Sequence, residues 1–158
     1  MARKPRVEYE GAVYHVMCRG DRGGAIFLDS KDYQIFLKTL EQLYSRTGFR
    51  IHAYALMKNH YHLLLETPEA NLVAGMKWFQ GTYTQRFNTR HQRSGHLFQG
   101  RYKALVIQND PTYFSTVSSY IHLNPARAGL IQSQNGQLDD YTWSSFPGYI
   151  RISARPPW

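Results

Sequence analysis

The sequence predicts an α+β fold, in which a ferredoxin-like β-α-β-β-α-β antiparallel sheet carries an additional helix on its open face. Alternating apolar runs occur at residues 11–18, 50–57 and 60–66, with the period of half-buried strands. The two long stretches that complete the unit space their apolar residues as helices do. Such a sheet packs two helices on one face and leaves the other face for a ligand or a further helix.

The first strand and the first helix have clear boundaries. A turn with three glycines follows the strand at residues 11–18 and occupies residues 19–24. Asp29 or Ser30 can cap the next helix, and Gly48 can end it. The apolar side chains of that helix recur at helical spacing: Tyr33, Phe36, Leu37, Leu40, Leu43 and Tyr44.

A hairpin and a second helix come next. Lys58 and Asn59 connect the two hairpin strands tightly, and the second helix begins near Asn71. Residues 95–108 then read as a long final strand. One face of the second helix is apolar, with Leu72, Met76, Phe79, Tyr83 and Phe87.

A third helix begins at Asp110 and Pro111, because aspartate accepts N-cap hydrogen bonds and proline suits a first helical turn. We expect this helix to end near Asn124, since the proline that follows disfavours continuation. The 158 residues therefore read as one domain, with a core at about 11–125 and a C-terminal extension at 126–158.

The charge of the chain points to a polyanionic partner. Nineteen Lys and Arg residues against eleven Asp and Glu residues give a formal net charge of +8 and a pI near 9.7. No acidic residue occurs between Glu69 and Asp110. A solvated basic surface explains the total charge equally well. The uneven placement of the charge along the chain is therefore the better evidence for a polyanionic partner. The basic residues of that stretch are Lys77, Arg86, Arg90, Arg93, Arg101 and Lys103.

Several classes of protein are excluded or disfavoured. A single cysteine, Cys18, rules out an intramolecular disulfide and a cysteine-rich zinc site. No apolar run approaches the roughly 20 residues that cross a bilayer, and the N-terminus lacks the apolar stretch of a signal peptide. We therefore expect a cytoplasmic protein with no membrane association.

Two histidines on the second hairpin strand are candidate metal ligands. Side chains alternate across a strand, so His60 and His62 face one side while Tyr61 faces the other. Two imidazoles at i and i+2 can both reach one divalent ion. By itself, a His-x-His pair is more often a pair of surface or hydrogen-bonded residues.

The third helix adds a candidate nucleophile. Tyr120 and Asn124 are four residues apart and share a helix face, so a tyrosine hydroxyl and an amide oxygen project together. Tyrosine can attack phosphorus when a metal polarises the phosphate, because the phenol itself has a pKa near 10. Alternatively, Tyr120 is a half-buried core residue with no catalytic role. Considered without other evidence, the sequence of this helix favours that alternative.

Three blocks of sequence together resemble the REP-associated tyrosine transposases, which belong to the HUH single-tyrosine transposases. The blocks are MKNHYHLLLE at 57–66, GHLFQGRYK at 95–103 and YIHLNPARAGL at 120–130. A further fragment, YTWSS, follows at 141–145, and the resemblance extends from about residue 11 to residue 146.

This resemblance implies a metal-dependent endonuclease and strand transferase that acts on single-stranded DNA, with hairpin-forming repeats as targets. It implies that His60, His62 and Asn124 hold Mg²⁺ or Mn²⁺, and that Tyr120, on the catalytic helix, forms a 5′-phosphotyrosine. It also implies a bacterial, nucleoid-associated protein. Insertion-sequence relatives are dimers, whereas REP-associated relatives work as monomers, and the C-terminal extension favours a monomer.

Further basic residues are predicted to contact DNA. Arg101 and Lys103 alternate onto one strand face and are predicted to contact phosphates. Arg19 and Arg22 lie in the glycine turn, where they could hold a DNA hairpin. The other predicted DNA-contacting residues are Lys77, Arg86, Arg90 and Arg93. The other histidines are read as hydrogen-bonded or DNA-facing: His15, His52, His91, His96 and His122.

Two alternatives stay open. The fold can serve as a non-catalytic domain that binds single-stranded nucleic acid through aromatic side chains and charge, although a pure binder needs neither the histidine pair nor Tyr120. A zinc hydrolase that uses water as its nucleophile is disfavoured, because the sequence offers no convincing third ligand.

Overall fold

A computed structural model describes residues 2, 4–107, 110–131 and 136–158 of the chain. The predicted order of elements is confirmed through the third helix. The elements are β1 (Ala12–Arg19), α1 (Ser30–Thr47), β2 (Arg50–Met57), β3 (His60–Thr67), α2 (Leu72–His91), β4 (Lys103–Ile107), α3 (Pro111–Arg127) and α4 (Phe146–Ile150). None of the described helices is both long enough and apolar enough to cross a membrane.

The four strands form one antiparallel sheet in the order β2-β3-β1-β4. This is the ferredoxin-like arrangement, and it places β1 and β3 at the centre. In the register of these two strands Arg19 lies opposite His60, and Met17 lies opposite His62. The histidine pair is therefore held on an interior strand, which has a hydrogen-bonded neighbour on each side.

One face of the sheet is covered by α1 and α2, and here the hydrophobic core is richest in aromatic rings. Tyr61 of β3 packs against Phe36 of α1 and Phe79 of α2, and all three are completely buried. Full burial of one such side chain stabilises the fold by roughly 1.5–3 kcal/mol. The core on this side therefore fixes β3, and with it the direction in which the alternate residues of β3 project.

The helix boundaries follow from local chemistry that the sequence shows. Asp29 caps α1 by accepting a hydrogen bond from the backbone N–H of Asp32, and Gly48 ends it in the left-handed conformation. Asp110 caps α3 in the same way, with the N–H of Thr112 as donor. These predicted boundaries are confirmed.

The prediction of a long final strand at residues 95–108 is wrong. The strand extends only over Lys103–Ile107, and residue 108 lies outside the described part of the chain. Gly95 and Gly100 adopt φ angles of 89° and 64°, which interrupt an extended chain. Between them Phe98 is buried in the core and pairs with Gly20 in an isolated bridge. The preceding residue, Leu97, is buried as well, so burial in this stretch does not alternate as it does along a strand.

The prediction that α3 ends near Asn124 is also wrong, because the helix continues through Pro125 to Arg127. Proline removes one N–H group from the helical ladder and disfavours helical geometry in the residue before it. Two later hydrogen bonds hold the last turn nonetheless. Ala128 N–H donates to the carbonyl of Asn124, and Leu130 N–H donates to that of Pro125, which is buried.

The C-terminal segment lies along β2, the outer strand of the sheet. Leu56 N–H donates to the carbonyl of Trp143, and Tyr54 N–H donates to the hydroxyl of Ser145. The indole of Trp143 stacks on Tyr33 of α1 with the ring centroids 4.6 Å apart. This segment therefore occupies hydrogen-bonding positions that an edge strand otherwise exposes.

Candidate active site on the open face of the sheet

His60 and His62 project from β3 onto the face of the sheet that α1 and α2 do not cover. Their ring centroids are 5.2 Å apart, and the ring planes are nearly perpendicular. The intervening Tyr61 projects into the helix-covered core, as the alternation along β3 predicts. The sequence-based prediction that the two imidazoles share one face is confirmed.

Each imidazole uses its Nδ1 atom for a hydrogen bond within the protein. Nδ1 of His60 lies 2.8 Å from the amide oxygen of Asn59, and Nδ1 of His62 lies 3.0 Å from Nε2 of His15. Among the described residues no side chain is hydrogen-bonded to Nε2 of either His60 or His62. Both imidazoles can therefore present Nε2 to a ligand on the open face.

Burial keeps this pair neutral at ordinary pH. Desolvation lowers the pKa of His60. For His62, desolvation, reinforced by the neighbouring His15 and His60, lowers the pKa to about 3. A neutral imidazole has the free lone pair that a metal ligand needs.

Helix α3 crosses this face and brings Tyr120 to the histidines. The phenol ring lies 6.0 Å from the ring of His62 and 6.0 Å from that of His15, edge-on in both cases. The residue is 42% exposed, so its hydroxyl is not sealed into a core. The reading of Tyr120 as a half-buried core residue is therefore not supported by its position.

Asn124 lies one turn beyond Tyr120 and lines the same cavity. Its amide nitrogen donates to the backbone carbonyl of Tyr120 at 2.9 Å. That bond leaves the amide oxygen of Asn124 free to accept or to coordinate. Because α3 stays helical through the following proline, the i and i+4 alignment of the two residues is kept.

Arg127 lies beside Tyr120, although no sequence pattern predicts a role for it. Its guanidinium carbon lies 5.2 Å from the centroid of the Tyr120 ring, on the same helix. A guanidinium over an aromatic face is an attractive cation–π contact. It also places a positive charge beside the phenol, where negative charge would develop if the oxygen were deprotonated.

A cavity of about 730 Å³ joins these side chains to basic residues of β1, of β4 and of the segment that precedes β4. Arg19, Arg101 and Lys103 line it together with His60, His62, Tyr120 and Asn124. The guanidinium of Arg19 is hydrogen-bonded to the amide oxygen of Gln99. Arg101 and Lys103 make no side-chain hydrogen bond or ion pair with any residue in the described ranges, so both charges are available to a ligand.

The structure does not bring the other predicted DNA-contacting residues to this cavity. Lys77, Arg86 and Arg90 project from α2, on the helix-covered side of the sheet. Arg86 donates to the hydroxyl of Thr39, and Arg90 forms ion pairs with Asp29 and Asp32. Arg93 follows α2 and contacts the ring of Phe87, while Arg22 is exposed in the 3-10 turn after β1.

Four of the five histidines predicted to be hydrogen-bonded or DNA-facing are hydrogen-bonded. His52 pairs with Glu66, His91 with Asp32, and His122 with Ser145. His15 pairs with His62 inside the candidate site. The position of His15 could have been predicted from the alternation of side chains along β1, which puts that residue on the open face.

The side chains that could hold a metal are His60, His62 and Asn124, which line one cavity. The amide oxygen is the kind of ligand that Mg²⁺ and Mn²⁺ prefer, whereas imidazole nitrogens favour transition-metal ions. The mixed set therefore fits a transition-metal ion such as Mn²⁺ more closely than Mg²⁺, with outside oxygen atoms completing the coordination. No group of three or more His, Cys, Asp or Glu side chains that could hold a metal occurs in the part of the chain that the structure describes. The cysteine- and histidine-rich set of a structural zinc site is therefore absent from those residues.

The sequence profile of the family described as "Transposase IS200 like" matches residues 8–124, which include the histidine pair, Tyr120 and Asn124. The chain belongs to the IS200-like transposase family. This assignment confirms the relation to transposases that the three sequence blocks indicate, and it identifies a DNA-processing enzyme. No protein with a curated description matches the chain.

Two solved structures share the fold of this IS200-like transposase. A REP-associated tyrosine transposase bound to a REP hairpin aligns with a TM-score of 0.77 at 18% identity, over 99% of this chain and 89% of that one. A proposed transposase from Deinococcus radiodurans R1 aligns with a TM-score of 0.52 at 19% identity, over 76% and 95% of the two chains. These likenesses confirm the predicted fold class.

Proposed function

We propose that this transposase is a metal-dependent endonuclease and strand transferase for single-stranded DNA, and that it forms a 5′-phosphotyrosine intermediate. The observation that carries the proposal is the position of Tyr120. Its accessible phenol ring lies 6.0 Å from the ring of His62, in a cavity that also contains His60 and Asn124. A nucleophile, a candidate metal site and basic side chains therefore share one opening.

The reaction is a transesterification at phosphorus. The Tyr120 oxygen forms a bond to the phosphorus atom, and the bond from phosphorus to the 3′ oxygen breaks. The phenol loses one proton and the departing 3′ oxygen gains one, so the step is balanced without an oxidant or a hydrolytic water. The reverse step, with another 3′-hydroxyl as the attacking group, rejoins strands.

His60, His62 and Asn124 would hold the Mg²⁺ or Mn²⁺ ion. When bound, such an ion polarises the phosphoryl oxygen that it contacts and stabilises the charge that develops during attack. The protein supplies the rest. The two Nε2 atoms would hold the ion, and α3 keeps the Tyr120 ring 6.0 Å from the ring of His62.

Phosphate binding is assigned to Arg19, Arg101 and Lys103, which line the cavity. Each contact with a phosphate displaces condensed counterions, so affinity should fall as the salt concentration rises. The partly exposed Tyr120 and the open cavity suit a flexible single strand, which can bend toward the phenol. A duplex holds its backbone in one fixed path.

The proposed substrate is a DNA hairpin that comes from repeat elements, with a single-stranded stretch at the cleavage position. The likeness in fold to a transposase bound to a REP hairpin supports this choice. We also propose a monomer as the working form, since the C-terminal segment covers the β2 edge. A dimer is the alternative, and the mass of the protein in solution distinguishes them.

The test is incubation of the protein with labelled hairpin oligonucleotides in Mn²⁺, followed by a denaturing gel. The expected result is a covalent protein–DNA adduct that requires metal and disappears in Tyr120→Phe. Tyr113→Phe is the matched control, because Tyr113 lies two turns earlier on α3 and is 44% exposed, but lies outside the cavity. The control should form the adduct at the wild-type rate.

Other outcomes have distinct meanings. Binding of several hairpins without any adduct would replace the proposal with the non-catalytic binding domain. Equal adduct yields from a blunt duplex of the same sequence would contradict the preference for single-stranded DNA.

A further inference from the structure

His15 is the third histidine of the open face. It lies on β1, next to β3, and its side chain is 6% exposed. Its Nε2 atom is 3.0 Å from Nδ1 of His62, and the two ring centroids are 5.2 Å apart. His15 is therefore buried between the sheet and α3, in direct contact with a proposed metal ligand.

The two proposed ligands differ in what holds their Nδ1 atoms. For His60 the partner is the amide oxygen of Asn59, which can only accept, so Nδ1 must carry the proton. For His62 the partner is a ring nitrogen, and a neutral imidazole nitrogen either donates or accepts. The protonation pattern of His62 thus depends on His15.

Only one of the two patterns leaves His62 able to bind a metal. If His15 donates, Nδ1 of His62 is the acceptor, and the proton of His62 occupies Nε2. If His15 accepts, His62 carries its proton on Nδ1, and the Nε2 lone pair is free. Since Nδ1 is committed to His15, Nε2 is the nitrogen that remains for coordination.

We propose that His15 is a positioning residue, which accepts the Nδ1–H hydrogen bond of His62 and so holds the Nε2 lone pair of His62 toward the metal position. This inference rests on the proposed function, because it assigns a purpose to His62 as a ligand. His15 itself is not a ligand in this arrangement, since its Nε2 faces His62. The acceptor is a buried neutral ring rather than the carboxylate or carbonyl that more often supports a metal-binding histidine.

The first measurement is the tautomer of His62 in the metal-free protein, which requires no activity. A long-range ¹H–¹⁵N correlation spectrum of histidine-labelled protein distinguishes the two neutral forms, and His62→Gln assigns the signal. We expect the Nδ1–H form in the wild type. In His15→Leu we expect the Nε2–H form, which predominates in free imidazoles, to replace it.

The second measurement is the affinity for Mn²⁺ by calorimetry. His15→Leu should weaken binding by roughly 10- to 100-fold, the usual effect of removing the partner of a metal-binding histidine. His15→Gln should restore most of that loss, because its amide oxygen can accept from Nδ1–H. Such rescue is not expected if His15 only fills space.

His122→Gln is the matched control. His122 is also buried, at 5% exposure, and its Nε2 is hydrogen-bonded to the hydroxyl of Ser145, but it lies outside the cavity. The control should lower stability without changing the tautomer of His62 or the affinity for Mn²⁺. Equal losses of Mn²⁺ affinity in His122→Gln and His15→Leu would overturn the proposal.

The failure of this inference is distinguishable from failure of the proposed function. If the wild type forms the covalent adduct while folded His15→Leu keeps wild-type affinity and tautomer, His15 has no positioning role and the function stands. If the wild type neither binds Mn²⁺ nor forms the adduct, both proposals are overturned.

Discussion

Adjacent residues of β3 serve two different faces of one sheet. On the helix-covered face Tyr61, Leu63 and Leu65 are completely buried among aromatic and aliphatic side chains. On the open face His60 and His62 line a cavity together with Tyr120 and basic side chains. Because side chains alternate along a strand, one residue of β3 stabilises the hydrophobic core while the next residue faces the candidate site.

The difference between the two faces explains how the protein can carry a polar site and still have a stable fold. The core beside Tyr61 supplies the burial that a domain of this size needs. The open face carries groups that cost free energy when desolvated, as the lowered pKa values of His60 and His62 show. Substitutions on the two faces should therefore change different measurable quantities.

The largest expected effect is on the reaction. His62→Ala should lower the rate of adduct formation by at least roughly 1000-fold, which corresponds to about 4 kcal/mol of transition-state stabilisation. Its thermal unfolding should change little compared with substitutions at Tyr61. Single-turnover assays in Mn²⁺ measure the first quantity, and calorimetry measures the second. Near wild-type turnover would remove His62 from the proposed site.

Tyr61→Leu tests the other face, one residue away. It removes part of a buried ring and the hydroxyl that accepts a 2.8 Å hydrogen bond from the Gln80 amide. The free energy of unfolding should fall by roughly 2–3 kcal/mol, from lost packing plus one hydrogen bond. Urea denaturation measures it. At temperatures where the variant is folded, the rate of adduct formation should stay within about threefold of wild type, and a larger loss would contradict the separation of the faces.

Arg127→Gln sharpens the comparison within the open face. The variant keeps a polar side chain of similar length but removes the cation beside the Tyr120 ring. If the cation stabilises the charge that develops on the Tyr120 oxygen by about 1 kcal/mol more than it stabilises the neutral ring, its removal slows the reaction roughly fivefold. The rate constant at saturating DNA is the appropriate measurement, and a change confined to DNA affinity would assign Arg127 to binding instead.

Lys103→Gln should weaken DNA binding and make it less dependent on salt. Removing one phosphate contact should lower the slope of log affinity against log salt by about 0.7 for a single strand. The same substitution at Lys77, on the helix-covered side, should change that slope less. Fluorescence anisotropy over a salt series measures both. Equal changes would show that DNA also contacts α2, as the sequence analysis predicts.

The smallest effect concerns acid stability on the helix-covered side. The hydrogen-bonded guanidinium of Arg90 lowers the pKa of Asp29. A carboxyl whose pKa is lower in the folded state stabilises the fold above its unfolded pKa of about 4, and that contribution is lost as the pH falls through the lowered value. The variant Asp29→Asn can still cap α1 but carries no titratable carboxyl at this position. Below about pH 4, the free energy of unfolding of the variant should therefore fall less steeply than that of the wild type.

Controls for this last prediction are simple. At neutral pH the variant should be slightly less stable than wild type, and the difference should shrink in acid. Urea denaturation at several pH values checks this trend, and adduct formation should be unaffected throughout. A parallel loss of stability in both proteins would show that the Asp29 ion pair contributes nothing.

Much of the fold and part of the site were predictable from sequence, because both depend on local periodicity. The alternation along β3 predicts the shared face of His60 and His62, and helical spacing predicts that Tyr120 and Asn124 share theirs. The contact between His15 and His62 depends on the register of β1 against β3, which no local pattern specifies.

The two wrong boundaries have different causes. Gly95 and Gly100 take positive φ angles, which interrupt the stretch that was predicted as one strand. Pro125 lies inside a helix whose last turn is held by the hydrogen bonds from Ala128 and Leu130. The assignment of DNA contacts to the basic residues of α2 stays a prediction, although Arg90 already has counter-ions in Asp29 and Asp32 at the start of α1.

The C-terminal segment along β2 has a consequence for how the protein behaves at high concentration. An outer strand with unsatisfied N–H and C=O groups is a template for pairing with other chains and for aggregation. Here Trp143 and Ser145 are hydrogen-bonded to Tyr54 and Leu56 of β2, while the described part of the opposite outer strand, β4, is five residues long and begins with a lysine. Short length and charge are the usual defences of an edge that stays uncovered. We therefore expect the C-terminal segment to protect the protein from aggregation. Variants that lack this segment should precipitate under conditions in which their secondary structure is still intact.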